Sequence, residues 1–390
     1  MDVYEKALKL HEEKKGKIAI KSKIEVKNLQ DLALAYTPGV AEPCRAINKN
    51  PQEVYKYTCK SNTLAVISNG TAVLGLGNIG AKASIPVMEG KAILFKEFAN
   101  IDAFPICIDS EDPEEIINIS KKISPVFGAI NLEDIKSPEC FEIEERLKKK
   151  LSIPVMHDDQ HGTAIVVSAG IINSLKIVKK KLEETEILII GAGAAGIAIT
   201  KTLLLLKAKN IVVYDKNGPL HTNQTWMNSE QKKIASITNK NNEKGSLDEV
   251  IKNKDIVVGV SAANVLNSRL IAKMNKDAIV FALANPVPEI LPEEAKKGGA
   301  RIIATGRSDF PNQINNILAF PGIFRGALDA RATTINLEMK IAAINTLVNI
   351  IPENELNENN IIPTVFEKKI VNEMAKAVAK AAHETRVAQK

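Results

Sequence analysis

The stretch "EILIIGAGAAGIAITKTLLLLKAKNIVVYD", residues 186–215, decides the fold. It opens on a short apolar run, passes through Gly191, Gly193 and Gly196 at G-x-G-x-x-G spacing, and continues for a dozen residues without proline. A second apolar run then ends on Asp215, nineteen residues past Gly196. That order is strand, tight turn, helix, strand. Its chemistry follows from the helix N-terminus, where free N–H groups and the positive end of the helix dipole receive a pyrophosphate, while an acid ending the next strand meets the ribose hydroxyls. The pattern predicts a nicotinamide dinucleotide on Gly191, Gly193, Ala194, Ala195, Gly196 and Asp215. The Asp215 carboxylate repels a 2′-phosphate and favours NAD; Lys216 beside it is able to pair with that phosphate, so NADP stays open.

The same spacing occurs earlier as "GLGNIG" (Gly75, Gly77, Gly80). There Pro86 falls where the following helix should run, removing a hydrogen bond and clashing with the preceding turn. This copy is expected to be a close-packed turn near the cleft rather than a second dinucleotide loop.

Outward from residue 186, "NIVVYDK", "DIVVGVS", "AIVFALANP" and "RIIATG" join "EILIIGAG" as compact apolar runs. They read as parallel strands covered on both faces. The polar segment 218–245 reads as a surface excursion with one helix, and Trp226 within it as a packing anchor. Two amphipathic helices, "ATTINLEMKIAAINTLVNI" and "PTVFEKKIVNEMAKAVAKAAHET", follow, split by Pro352. Upstream, "LAVISNG", "AFPICID", "FGAINLED" and "IPVMHDD" read as strands, while "DPEEIINISKKI" and "SPECFEIEERLKKKL" read as helices with acids first and bases last, matching the dipole. The expected class is α/β with two domains. Residues 1–160 form an N-terminal substrate and metal domain, and residues 161–390 form a Rossmann-like NAD(P)-binding domain that includes the C-terminal helices.

Bulk properties narrow the function. The chain has 390 residues, 45% hydrophobic and 25% charged, which suits two globular domains. The net charge of +6 is spread among acids and aromatic content is 4%, arguing against nucleic acid as a partner. Four scattered cysteines argue against a disulfide framework and for a reducing compartment. The start carries no apolar signal region, and the longest apolar run, "ILIIGAGAAGIAIT", is broken by glycine and short of a membrane span. A cytoplasmic protein without a membrane partner is expected.

Three upstream runs end in acids: Asp109, the pair Glu133–Asp134 and the pair Asp158–Asp159. Ligands of open α/β sheets gather beyond the carboxyl ends of the strands. Acids converging there raise one another's pKa unless a hard cation such as Mg²⁺ or Mn²⁺ neutralises them. The alternative is that each pair caps a following helix. His157 and His161 have H-x-x-x-H spacing, but Asp158 stands where a zinc peptidase needs glutamate and Gly162 interrupts; they read as structural neighbours of the acids.

"LAYTPGVAEPC", "VLGLGNIG", "MEGKAILFK", "INLEDI", "MHDDQHGTA", "GAGAAG", "FALANP" and "INNILAFPGIFRGAL" together resemble the bacterial-type malic enzymes, in the short form without an appended acyltransferase-like domain. The resemblance covers nearly the whole chain. It implies an oxidoreductase that turns L-malate and NAD(P)⁺ into pyruvate, CO₂ and NAD(P)H with Mg²⁺ or Mn²⁺. It implies Tyr36 as general acid, Lys91 as general base, Asp158 as the carboxylate holding that lysine, and Glu133, Asp134 and Asp159 as metal ligands. Asn285, Asn315 and Asn316 match residues that bind substrate or the nicotinamide end, and a homodimer, with exchange of N-terminal segments, is implied. In one respect the chain departs from the pattern. Longer members carry an arginine for a substrate carboxylate where this chain has Ala72, and Arg45 is a candidate to replace it. The rival within the class is malolactic chemistry, which retains the cofactor and releases lactate.

Overall fold

The computed structural model describes residues 2–73, 75–222 and 224–390. Two parallel sheets organise the chain. The first holds β1 (Thr63–Ser68), β2 (Asp102–Cys107), β3 (Ala129–Leu132) and β4 (Val155–His157) in the order β2-β1-β3-β4. The second holds β5 (Glu186–Ile190), β6 (Asn210–Asp215), β7 (Gly218–Pro219), β8 (Ile256–Gly259), β9 (Ile279–Ala282) and β10 (Ile302–Thr305) in the order β10-β9-β8-β5-β6-β7. Every upstream and downstream run read as a strand lies in one of these sheets. Strands covered on both faces need no polar alternation, and β1, β3, β8 and β9 are buried throughout. The two-residue β7, paired antiparallel to β6, went unread because Gly218 and Pro219 carry no strand propensity.

Four helices precede the first sheet: α1 (Val3–Lys14), α2 (Leu29–Ala35), α3 (Ala41–Lys49) and α4 (Val54–Tyr57). None buries a residue, and Val3, Leu8, Leu29, Leu34 and Tyr36 stand exposed. The first sheet is then crossed by α5 (Gly80–Ala99), α6 (Pro113–Ile123) and α7 (Glu139–Lys150). Helix α5 corrects the reading of Pro86, which sits inside it. Burial of Met88, Ala92 and Phe95 at the core outweighs the one lost backbone bond, a tertiary override of local propensity. The glycines of "GLGNIG" do form a turn, each with positive φ (74°, 75° and 77°).

Helix α8 (Asp158–Val178) leaves the end of β4 and runs into the core between the sheets. It is the one helix among the described residues long and apolar enough to cross a membrane, which the reading of apolar runs overlooked; 72% of its apolar window is buried inside the protein. After it come α9 (Ala194–Leu205), α10 (Ser229–Ala235), α11 (Leu247–Val250), α12 (Ser268–Ile271), α13 (Pro292–Lys297), α14 (Phe320–Asp329), α15 (Leu337–Ile350) and α16 (Lys369–Glu384). The 218–245 segment holds one helix, α10, and Trp226 packs against the main core. That core joins Val66, Met88 and Phe95 beside the first sheet to Ile187, Val213 and Ile279 of the second.

Candidate active site

Lys91 lies on the buried face of α5, and its ammonium is 2.7 Å from Asp158 Oδ2 and 2.8 Å from Glu133 Oε1. The face of the Phe320 ring, on α14, lies 4.2 Å from the same nitrogen. Burial alone would strip the proton, but the two carboxylates outweigh it and hold the lysine above its ordinary pKa. Asp158 is buried, and its Oδ2 also accepts from Asn316 Nδ2 at 2.6 Å.

The ligand atoms of Glu133, Asp134 and Asp159 fall within 4.8 Å of one another. Glu133 and Asp134 follow directly from β3, and Asp159 is the second residue of α8, so both adjacent strands deliver acids to one end of the sheet. None caps a helix by its side chain. Pro138 and His157 are the N-cap residues of α7 and α8, without side-chain cap bonds. The carboxylates bind one another's surroundings instead: the Asp134 N–H donates to Asp159 Oδ2 at 2.8 Å, and Asn131 Nδ2 donates to Glu133 Oε2 at 2.8 Å.

Burial, with Asp159 and Asp158 alongside, pushes Glu133 well above the usual carboxylate range despite Lys91. Burial and Asp159 push Asp134 up to about 7. Asp159 is pulled below its ordinary value even though burial opposes this, because the His157 imidazole lies beside it, with Nε2 3.2 Å from Oδ2. Asp134 Oδ2 is buried with no hydrogen-bond donor among the described residues. Three crowded carboxylates with one orphaned oxygen fit a hard divalent cation. His157 and His161 stay outside this set: His161 bonds Glu144 at 2.9 Å, and His157 serves Asp159.

Across a cleft of about 1220 Å³ from Lys91, Glu133, Asp134 and Asp159 stand Gly193, Ala194, Ala195, Asn285, Asn315 and Asn316. Gly193 is the N-cap of α9, so the free N–H groups of that helix start at the cleft wall. Gly191 and Gly196 sit behind the loop and let it close: a Cβ on Gly196 would lie 1.8 Å from Gly191 O. Asp215, at the end of β6, accepts from Asn217 at 3.2 Å and from Gln231 Nε2 at 3.4 Å. Asn285 is one wall residue; Asn316 is a wall residue already bonded to Asp158.

Two expected residues lie elsewhere. Tyr36, the C-cap of α2, is 67% exposed and is not on the cleft wall. Arg45 pairs with Glu42 at 2.8 Å on the surface, whereas Lys17 and Lys136 are the cations that line the cleft beside Lys91. Sequence reasoning missed the Glu133–Lys91 pair, Asn131 and Phe320. Asn131 had a signal, since it stands two residues before Glu133 and shares its face of the strand; Phe320 had none.

The chain matches the family models "Malic enzyme, N-terminal domain" over residues 13–148 and "Malic enzyme, NAD binding domain" over residues 160–385. It is 56% identical over 375 residues to the NAD-dependent malic enzyme of Geobacillus stearothermophilus, covering 96% of this chain and 78% of that protein. It is 53% identical over 390 residues to the bifunctional malic/malolactic enzyme of Bacillus subtilis (strain 168), covering 100% and 95%. The crystal structure of malic enzyme from Pyrococcus horikoshii Ot3 superposes with a TM-score of 0.94 at 48% identity, covering 100% of this chain and 92% of that one. With two family models spanning both sheets and relatives aligned end to end, the chain belongs to the malic enzyme family.

Proposed function

We propose that this protein oxidatively decarboxylates L-malate to pyruvate and CO₂ while reducing NAD⁺ or NADP⁺. The observation that carries the reading is Lys91, held at 2.7 Å and 2.8 Å by two carboxylates, between an acid triad and the "GAGAAG" loop. Glu133, Asp134 and Asp159 would hold Mg²⁺ or Mn²⁺, which supplies Lewis acidity towards the substrate hydroxyl and the enolate oxygen.

Lys91 takes the proton of the substrate hydroxyl, and a bound nicotinamide would serve as the acceptor of the C2 hydride. With both carboxylates in contact the ammonium stays charged; with Glu133 drawn away, Asp158 is its remaining acid and burial favours the free amine. Asp158, itself oriented by Asn316, aims the nitrogen. The C3–C4 bond then breaks, CO₂ leaves, and C3 gains a proton from Tyr36. Gly191, Gly193, Ala194, Ala195 and Gly196 receive the pyrophosphate. Asp215 receives the ribose and favours NAD, and Asn285 and Asn315 meet substrate or nicotinamide. Residues 1–160 carry substrate and metal, and residues 161–390 carry the cofactor.

The same proposal makes the protein a cytoplasmic homodimer. Helices α1 to α4 present apolar side chains that no described residue covers, and Tyr36 sits among them, off the cleft wall that holds Lys91. Exchange of this segment buries those side chains and brings Tyr36 of one protomer to the cleft of its partner. The likeness to a bifunctional malic/malolactic enzyme favours a second reading, lactate release with retained cofactor.

The test is malate-dependent absorbance of NADH and NADPH with and without Mn²⁺, with pyruvate and lactate assayed together. Pyruvate matching reduced cofactor mole for mole is expected. Lactate without net reduction overturns the reading in favour of the second one, and turnover unchanged in Lys91→Met removes the assigned base.

A further inference from the structure

A second cavity, of about 420 Å³, is lined by residues of α7, α8, α9, α10 and α15. Its volume is that of a small-molecule site. Four lysines line it, and three of them have acid partners: Lys148 bonds Glu144 at 2.8 Å, and Lys201 and Lys233 bond Glu230 at 2.8 Å and 2.5 Å. Lys340 is the exception. Among the described residues its ammonium meets one polar partner, the ring nitrogen His161 Nδ1, at 2.9 Å. His161 Nε2 faces Glu144 Oε2 at 2.9 Å, so the imidazole donates there and accepts from Lys340, and brings that lysine no negative charge. Burial, with Lys148 and Lys201 nearby, pulls Lys340 down to about 7.

Gln160 is a second, independent sign. It lines the cavity, is 4% exposed, and its Nε2 finds no acceptor among the described residues. A buried amide donor and a half-buried ammonium both lack the same thing, a direct anionic acceptor. Glu144, Glu145 and Glu230 also line the charged end, with four lysines against three glutamates, and Leu205, Leu337, Ile341 and Ile344 form an aliphatic stretch of the wall. The lining thus sets one lysine without a carboxylate in contact, and one spare amide donor, near an aliphatic stretch.

We propose that this cavity binds an amphipathic monoanion, an aliphatic carboxylate whose head pairs with Lys340 and Gln160 and whose stem lies along Leu205, Leu337, Ile341 and Ile344. One unpaired lysine sets the charge of the head, and the aliphatic wall sets the class of the stem. The site is separate from the malate cleft and does not depend on the reaction carried out there.

The experiment is ligand-observed NMR on the whole chain with butyrate, hexanoate and octanoate as probes, first without malate and then with malate titrated in to saturation. Inorganic phosphate and octanamide serve as comparators. Affinity should tighten about three- to four-fold per added methylene. Phosphate should compete weakly and octanamide should bind at least ten-fold less tightly than octanoate. Lys340→Met should weaken octanoate at least ten-fold, with the circular dichroism spectrum and malate turnover unchanged. Three results overturn the proposal: affinity independent of chain length, octanoate binding equal in Lys340→Met, or displacement of octanoate by malate. The chain-length series uses the unmodified protein, so it decides the matter even if Lys340→Met fails to fold.

Discussion

Two lysines of this chain, Lys91 buried and Lys340 half-buried, have opposite surroundings. Lys91 touches two carboxylates and an aromatic face, and its proton is held tightly. Lys340 touches an imidazole and lies near two other lysines, and its proton is held loosely, with the pKa pulled down to about 7. Residue type is shared; what differs most is which groups deliver charge nearby: two carboxylates touch Lys91, whereas Lys148 and Lys201 oppose the more distant Glu144 at Lys340. A lysine's chemistry is therefore set by the topology around it.

Substitutions test that contrast, and the largest effect belongs to Lys91. Lys91→Met leaves Asp158 and Glu133 buried without their cation, so unfolding free energy in urea should fall by about 3–5 kcal/mol. Malate oxidation should drop by about 10³-fold or more. A variant as stable as the parent would mean the carboxylates do not lean on this lysine.

Next comes the acid triad beside that contact. Asp159→Asn removes one charge from the triad and should raise the Mn²⁺ concentration for half-maximal activity by about 10- to 100-fold. An unchanged metal requirement would take Asp159 out of the ligand set.

Lys340 should respond in the opposite sense to Lys91. His161 on α8, Glu144 and Lys148 on α7 and Lys201 on α9 face it. Its folded pKa, about 7, lies below the ordinary lysine value of 10.5, so between those values the unfolded chain binds more protons and stability rises with pH. The penalty is fully present below pH 7 and fades towards pH 10. Lys340→Met should therefore raise Tm by about 2–4 °C at pH 6 and lose that advantage near pH 10. A pH-independent difference would show that packing, not charge, governs the position.

The smallest effect is expected at a third lysine, Lys149, whose partner Glu145 lies 2.5 Å away one helical turn back on the exposed face of α7. Lys149→Ala should change stability by less than about 0.5 kcal/mol.

The sheets were legible because buried parallel strands leave continuous apolar runs, and "EILII" to "NIVVYD" reads the same in sequence and in space. Helix α14 was not legible. Its "FPGIFRGALD" carries Pro321, Gly322 and Gly326, which look like breakers. Pro321 sits in the first turn, where no bond is lost, and the glycines admit α16: a Cβ on Gly322 would come within 2.8 Å of Met374. In the site, the acid pairs showed in sequence because they end strands. The sharing of Glu133 between Lys91 and the triad did not, since contacts across 42 positions leave no local pattern. Tyr36 was recognisable by motif, yet its place depends on surfaces that its own chain leaves uncovered.

Helix α8 starts with the two aspartates of the site and ends in the hydrophobic interior shared by both sheets. Its 21 residues, roughly 31 Å of rod, make it common property of the two halves. Anyone building a chimera with a foreign nucleotide module would have to splice upstream of Asp158, and the graft would then bring its own aspartates. On the proposed placement of the ribose at Asp215, coenzyme choice would be changed by point edits around residues 215–217 rather than by exchanging modules.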